Sequence, residues 1–314
     1  MDSKGFTIKS AEYGSAEYRE LRSLWCEVFG DTPSYVDSFY ENFDEDIMGY
    51  VVTDITGRVC SALTCHLCGS YENMPVYVSY AVCTREDARG QGLAAMLISF
   101  VRDRVTEAGG ISLISPAEPS LVSYYEELGY EPHFFAAERA VMSPEFDFEE
   151  YDDFDEYDLD IEGADPTPFR AEIDMQPMPA EKYSRYREAF LAEQPHIEPC
   201  SDMLRLIESE SMNGEGLYSI NRGDAICAIS HVDPARVIMT ELILNPVLKE
   251  LSLDIDTEIA SMAAKHFGAV ETFFITPGYG RCQGMVYGLP QKPDEPDEED
   301  GYYYEKPYYG FPIE

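Results

Sequence analysis

The chain has 314 residues, 45% of them hydrophobic and 13% aromatic, which suffices for two packed domains and excludes a disordered acidic protein. Lys and Arg number 22 against 60 Asp and Glu, and the resulting net charge of −38 repels DNA, RNA and anionic membrane surfaces while attracting cations, amines among them. No stretch approaches the ~20 consecutive apolar residues of a membrane span, no apolar leader precedes Phe6, and eight cysteines make no disulfide scaffold at this size, so a reducing cytoplasm is expected.

In chain order, Phe6 to Ser10 reads as a first strand. Ala16 to Phe29 carries helical spacing through Tyr18, Leu21, Leu24, Trp25 and Val28, and Gly30 ends it. A second helix starts at Asp31-Thr32-Pro33 and runs through Tyr35, Val36, Phe39, Tyr40 and Phe43. The acids Asp37, Glu41, Asp44, Glu45 and Asp46 read either as solvated helix surface or as a face toward an incoming amine. Tyr50 to Thr84 alternates as an antiparallel meander, with turn signals at Asp54-Ile55-Thr56-Gly57 and Glu72-Asn73-Met74-Pro75. Cys60, Cys65, His66 and Cys68 lie within it. Positions i and i+3 of a strand face opposite ways, so Cys65 and Cys68 do not converge, and no metal site is expected.

The stretch from Val78 to Tyr130 organises the rest. Val78 to Thr84 is a buried strand by composition. Arg89-Gly90-Gln91-Gly92-Leu93-Ala94 then opens a helix whose apolar face is Leu93, Met96, Leu97, Phe100, Val101 and Val105. Gly109-Gly110 stops it, Ile111 to Ile114 is the next strand, and a shorter helix follows, ending in Leu128-Gly129-Tyr130. Two glycines at a strand-to-helix turn let backbone amides approach a ligand, and the helix dipole favours an anion there. A pyrophosphate is a natural occupant, and Arg89 adds fixed positive charge. A plain tight turn is the other reading.

Arg-x-x-Gly-x-Ala on a strand-to-helix turn, followed by a strand and Tyr-Glu-Glu-Leu-Gly-Tyr, resembles the GNAT superfamily of acyl-CoA-dependent N-acyltransferases. The resemblance covers roughly the first half of the chain. It implies an α/β (α+β) fold with a mixed, mostly antiparallel sheet flanked by helices. By the same resemblance, Arg89, Gly90, Gln91, Gly92, Leu93 and Ala94 hold the pyrophosphate of acetyl-CoA, the co-substrate. The strand edge Ala81, Val82 and Cys83 pairs with the pantetheine arm, and Tyr125 is the general acid. Glu118 lies in a loop that often lines the site in this family. It reads either as the group that takes the amine's proton or as a cap for the helix near Ser120. Cys83 reads as a covalent acyl carrier or as a packing residue.

Glu145 to Asp165 mixes acids and aromatics at no clean period and reads as a junction. The expected domains are 1–145, catalytic; 146–180, an acidic linker; and 181–314, a degenerate copy. Thr240 to Pro246 parallels Val78 to Thr84 at an offset of 162, and Thr272 parallels Ile111 at 161. The copy carries Val247-Leu248-Lys249-Glu250-Leu251 in place of the glycine turn. Tandem GNAT proteins, including relatives of the Eis-type acetyltransferases, have such a second domain, and this chain is too short for their sterol-carrier-like third. After Gly278-Tyr279-Gly280 the counterparts of the helix and tyrosine stay unassigned, Pro293 to Asp300 reads as an acidic, proline-bearing loop, and the tyrosine-rich stretch from Gly301 reads as a docked strand or aromatic lining.

The expected function is transfer of an acetyl group from acetyl-CoA to a primary amine of a small, cationic acceptor by direct attack. The alternatives are an acyl-CoA-binding pseudoenzyme or sensor and an aminoacyl-tRNA-dependent transferase, the latter opposed by the absence of a basic patch. No nucleic acid or membrane partner is expected, and homo-oligomerisation stays open.

Overall fold

The computed structural model describes residues 5–43, 46–146, 173–209, 214–249, 254–290 and 306–310. By its contacts the chain divides into two compact units. One holds Met1–Ala136, Gln194–Leu206 and Gly278–Glu314, the other Ala137–Glu193 and Ile207–Pro277. The contacts therefore return two later segments to the first unit, where the sequence suggests successive domains. Of the stretch 146–180, read as an acidic linker, residues 147–172 lie outside the described residues, as does most of the tyrosine-rich end, while Met175–Pro177 is a strand.

The first unit begins with β1 (Thr7–Ser10), α1 (Ala16–Phe29), α2 (Pro33–Phe43), β2 (Ile47–Thr53), β3 (Val59–Tyr71) and β4 (Met74–Thr84). There follow α3 (Leu93–Glu107), β5 (Ile111–Ile114), α4 (Ser120–Glu127) and β6 (Glu131–Met142), which runs across the division between the units. Local chemistry explains the boundaries. Ser15 caps α1 by accepting the Tyr18 amide at 3.0 Å, and Gly30 ends it in the left-handed conformation. Glu72 and Asn73, both at positive φ, make the tight turn between β3 and β4.

The remaining elements are β7 (Met175–Pro177), α5 (Ala180–Phe190), β8 (Glu198–Pro199), α6 (Ser201–Ser209), β9 (Gly216–Ile220), β10 (Ala225–Val232) and β11 (Arg236–Leu244). After these come α7 (Pro246–Lys249), α8 (Ile255–Phe267), β12 (Glu271–Pro277) and β13 (Arg281–Tyr287). The stretch after Gly280, unassigned from sequence, is thus a strand.

In the first unit the strands run β1-β2-β3-β4-β5-β13-β6, with β8 beside the end of β3. β4 and β5 are parallel, while the other pairings given by register are antiparallel. On one face α3 packs Leu93, Leu97, Ile98, Val101 and Val105 against Val52, Leu63 and Cys65. On the other lie the aromatics of α1 and α2, with Trp25 and Phe39 both against Tyr80 at ring separations of 5.3 Å. In the second unit the order β7-β9-β10-β11-β12 repeats β1 to β5, again with a parallel last pair. Val76 pairs with Ile111 and Arg236 with Glu271, so both strands of the repeat are displaced by 160 residues (236 − 76 and 271 − 111). Among the described residues no counterpart of the glycine turn follows β11: Asn245 and the short α7 stand there instead.

Candidate active site

Parallel pairing of β4 with β5 runs from Val76↔Ile111 to Ser79↔Ile114 and stops, although β4 continues to Thr84. On its other side β4 slips register against β3, between Tyr80↔Thr64 and Cys83↔Ala62. Ala81 and Val82 together face Leu63, which is a β-bulge, and Ala81 takes a φ of 49°. An alanine held there costs on the order of 1–3 kcal/mol and bends the strand. The half-buried Ala81 and Val82 therefore form a stretch of β4 with no partner on β5. Cys83 is back in the ladder and buried, its carbonyl accepting from Ser61 Oγ at 2.7 Å. Burial pushes its thiol up to about 12, which suits a packing residue and not a nucleophile.

β4 leads into the glycine turn. Gly90 and Gly92 have φ of 74° and 75°, and a Cβ on either would meet nothing within 4 Å. Glycine is required there for conformation, and the space above the turn is open. Gly92 caps α3, whose first backbone bond is Met96 N–H to Gly92 O at 3.0 Å. Among the described residues, the amides of Gln91, Gly92, Leu93, Ala94 and Ala95 donate to no backbone carbonyl. Leu93 anchors the turn in the core, and Ala94 is half-buried. The exposed Arg89 donates from Nε to Thr84 O at 3.2 Å, and Gln91 Nε2 donates to Ala88 O at 3.4 Å. The result is a row of free donors at a helix N-terminus beside a guanidinium, an arrangement whose chemistry suits an anion.

Below this, α4 is held by Arg102 of α3, which donates to Leu128 O and lies 4.4 Å over the Tyr287 ring. Tyr130 and Ser112 share a 2.8 Å hydroxyl bond. Tyr125 is buried in the same core as Leu93, Leu97 and Ile114. Burial first, then the neighbouring Tyr124, push its phenol up to about 12. Its hydroxyl has no hydrogen-bond partner among the described residues. Tyr124 is half-buried, its ring 5.4 Å from that of Tyr125. Glu118 is exposed. Its carboxylate accepts from Ser120 Oγ at 2.6 Å and does not cap the α4 amides, and no hydrogen bond joins it to Tyr125. The loop that carries it is gripped from β13, where Arg281 Nη2 donates to Pro116 O at 3.4 Å and Ala117 O at 3.3 Å.

Residues 12–140 match the acetyltransferase (GNAT) domain family. They form a GNAT acetyltransferase domain. No curated protein matches the sequence. Solved structures resemble the chain over nearly its whole length: a probable N-acyltransferase from Enterococcus faecalis V583 aligns at a TM-score of 0.60 and 11% identity, over 90% of this chain and 72% of that one. A GCN5-related N-acetyltransferase from Anabaena variabilis aligns at 0.60 and 12%, over 89% and 72%. One from Kribbella flavida aligns at 0.56 and 14%, over 91% and 72%. At such identities these likenesses speak for the fold. Within the GNAT domain's unit, Arg281 and β13 are the parts that sequence reasoning missed. The stretch after Gly278-Tyr279-Gly280, unassigned from sequence, carries no local sign of the loop it grips.

Proposed function

We propose that the GNAT domain moves an acetyl group from acetyl-CoA to the primary amine of a small, cationic acceptor. One observation carries the reading: the row of amides without acceptors, Gln91 to Ala95, stands at the end of the strand that has parted from β5. A pyrophosphate suits the amides and Arg89. An extended pantetheine arm suits the unpartnered edge at Ala81, Val82 and Cys83, since it can pair with a strand as a strand does. The charge of −38 favours a cationic acceptor by long-range attraction.

In the proposed step the amine nitrogen forms a bond to the thioester carbon, and the carbonyl π pair moves onto oxygen. Collapse re-forms the carbonyl and breaks the carbon–sulfur bond. The nitrogen's proton leaves to Glu118, directly or through water, and the sulfur takes a proton from Tyr125. A phenol near 12 is fully protonated at neutral pH, but giving its proton to a thiolate of ordinary pKa ~8.5 is uphill by roughly 5 kcal/mol. Tyr125 therefore acts first as a hydrogen-bond donor to the departing sulfur, and transfer completes only as charge builds there.

The test follows thiol release from acetyl-CoA in the presence of polyamines, aminoglycosides and amino acids, with mass detection of acetylated amine. Amine-dependent release is expected. Tight binding of acetyl-CoA without release, across all three classes, contradicts the transferase and favours the sensor.

A further inference from the structure

Cys68 and Cys200 are far apart in the chain and adjacent in the first unit. β8 pairs with β3 through Gly69↔Pro199 and Ser70↔Glu198. The next rung of that antiparallel register sets Cys68 opposite Cys200, and the Cys200 amide donates to Cys68 O at 2.9 Å. The approach is tight, because a Cβ on Gly69 would lie 2.0 Å from Glu198 O. Residues directly opposed in an antiparallel ladder have Cα atoms about 4.5–5.5 Å apart, inside the roughly 4.4–6.8 Å that a disulfide spans. Both sulfurs lie near the buried Tyr309, which bonds to the Cys68 thiol. Both thiols are free: Cys68 Sγ donates to Val76 O and Cys200 Sγ to Leu67 O, each at 3.3 Å. Such S–H bonds are weak, so rotating either side chain toward the other costs little.

We infer that Cys68 and Cys200 are an oxidisable pair that closes a disulfide between β3 and β8. The inference does not depend on the acetyltransferase reading. The oxidant is a low-molecular-weight disulfide. The half-buried Cys200 is reached first. Its thiolate attacks one sulfur of the oxidant, whose S–S bond breaks and expels one small thiolate. The Cys68 thiolate then attacks the Cys200 sulfur, forming the internal bond and expelling the second. Two protein thiols are oxidised, two small thiols are produced, and the protein's two protons pass to solvent and on to those thiolates. Burial raises both thiols, with Cys200 and Cys65 adding to the effect at Cys68, so closure speeds up as pH rises through the alkaline range. Cys65 does not compete, because it sits in the core on the α3 face of β3. The bond pins Gln194–Leu206, which arrives from between two segments of the second unit, to the sheet of the first.

The test exposes the full chain to glutathione disulfide, quenches with an alkylating reagent, and maps peptides without reduction. The expected product is one linked Cys68–Cys200 peptide, two fewer alkylated thiols than in the reduced protein, and a Tm higher by roughly 5–10 °C. C68S should leave Cys200 carrying glutathione alone, and C200S should leave Cys68 reduced. Wild-type protein that ends with glutathione on Cys200, with Cys68 joined to a different cysteine, or with Cys68 and Cys200 both alkylated would overturn the pairing.

Discussion

Arg281 on β13 holds the carbonyl of Ala117 at 3.3 Å, and with it the loop between β5 and α4. That loop carries Glu118 at its exposed end and leads into the helix of Tyr125. Its bonds to Pro116 O and Ala117 O grip the loop, so its loss should misplace the loop without weakening the amide row at the glycine turn. Arg281→Ala is expected to lower kcat about tenfold, with the Kd for acetyl-CoA changed by less than about twofold. Arg281→Lys, an ammonium on a flexible stem without the guanidinium's planar fork, should recover part of the loss. Steady-state kinetics beside calorimetry separates the two, and an unchanged kcat would remove Arg281 from the site.

Tyr125→Phe keeps the ring in the core and removes only the hydroxyl. Turnover should fall by about a hundredfold while acetyl-CoA binding is retained. With the phenol up to about 12, the wild-type rate should show no decline attributable to Tyr125 between pH 7 and 10, about two units below that value. A variant with wild-type kcat would exclude Tyr125 as the donor.

His66 is wholly buried among Phe39, Phe43 and Tyr80, and neither ring nitrogen has a partner among the described residues. Burial lowers its pKa to about 3, against 6.5 in an open chain. Below pH 6.5 the unfolded chain takes up a proton that the folded one refuses, so stability is lost as pH falls toward 3. The slope is about 1.4 kcal/mol per pH unit, or roughly 2 kcal/mol between pH 6.5 and 5. Urea denaturation of wild type and His66→Leu at both pH values should show that extra loss in the wild type alone, since both share every carboxylate. Parallel losses would contradict the burial argument.

In the second unit, Glu241 lies 160 residues after Ala81 and beside a similar register slip, with Thr240 unpaired between Ala228↔Glu241 and Ile229↔Met239. Its chemistry differs. Glu241 is fully buried, accepting from Tyr183 Oη at 2.8 Å and from Arg187 Nε at 3.1 Å. Arg187→Met strands a carboxylate and should cost about 3–5 kcal/mol, while Arg187→Met with Glu241→Met should recover most of it. Denaturant midpoints of the single and double variants decide this, and additive losses would contradict it.

The elements legible in the sequence are those set by neighbours. Gly30 ends α1, Asn73 makes its turn at positive φ, and Gly90 and Gly92 open α3, each through chemistry within a few residues. The repeat was legible for the same reason, although register sets the offset at 160, not the 161 and 162 of the sequence pattern. What escaped is long-range. Arg281 to Tyr287, unassigned from sequence, is a strand because of partners far away in the chain, β5 and β6. Likewise nothing local says that a two-residue strand at Glu198 seats on Gly69, or that Tyr308 and Tyr309 are buried there while their neighbour Lys306 is not.

The most direct test of the central claim is calorimetric titration of acetyl-CoA into wild type and Gly92→Glu. A glutamate at Gly92 strains a left-handed position by ~1–2 kcal/mol and sets a carboxylate beside the five free amides. The account predicts micromolar binding by the wild type, and at least about a hundredfold weaker binding by a variant whose circular dichroism shows it folded. Equal binding by both would contradict the anion site at Gln91 to Ala95, and no binding by the wild type would contradict the acetyl-CoA-dependent reading itself.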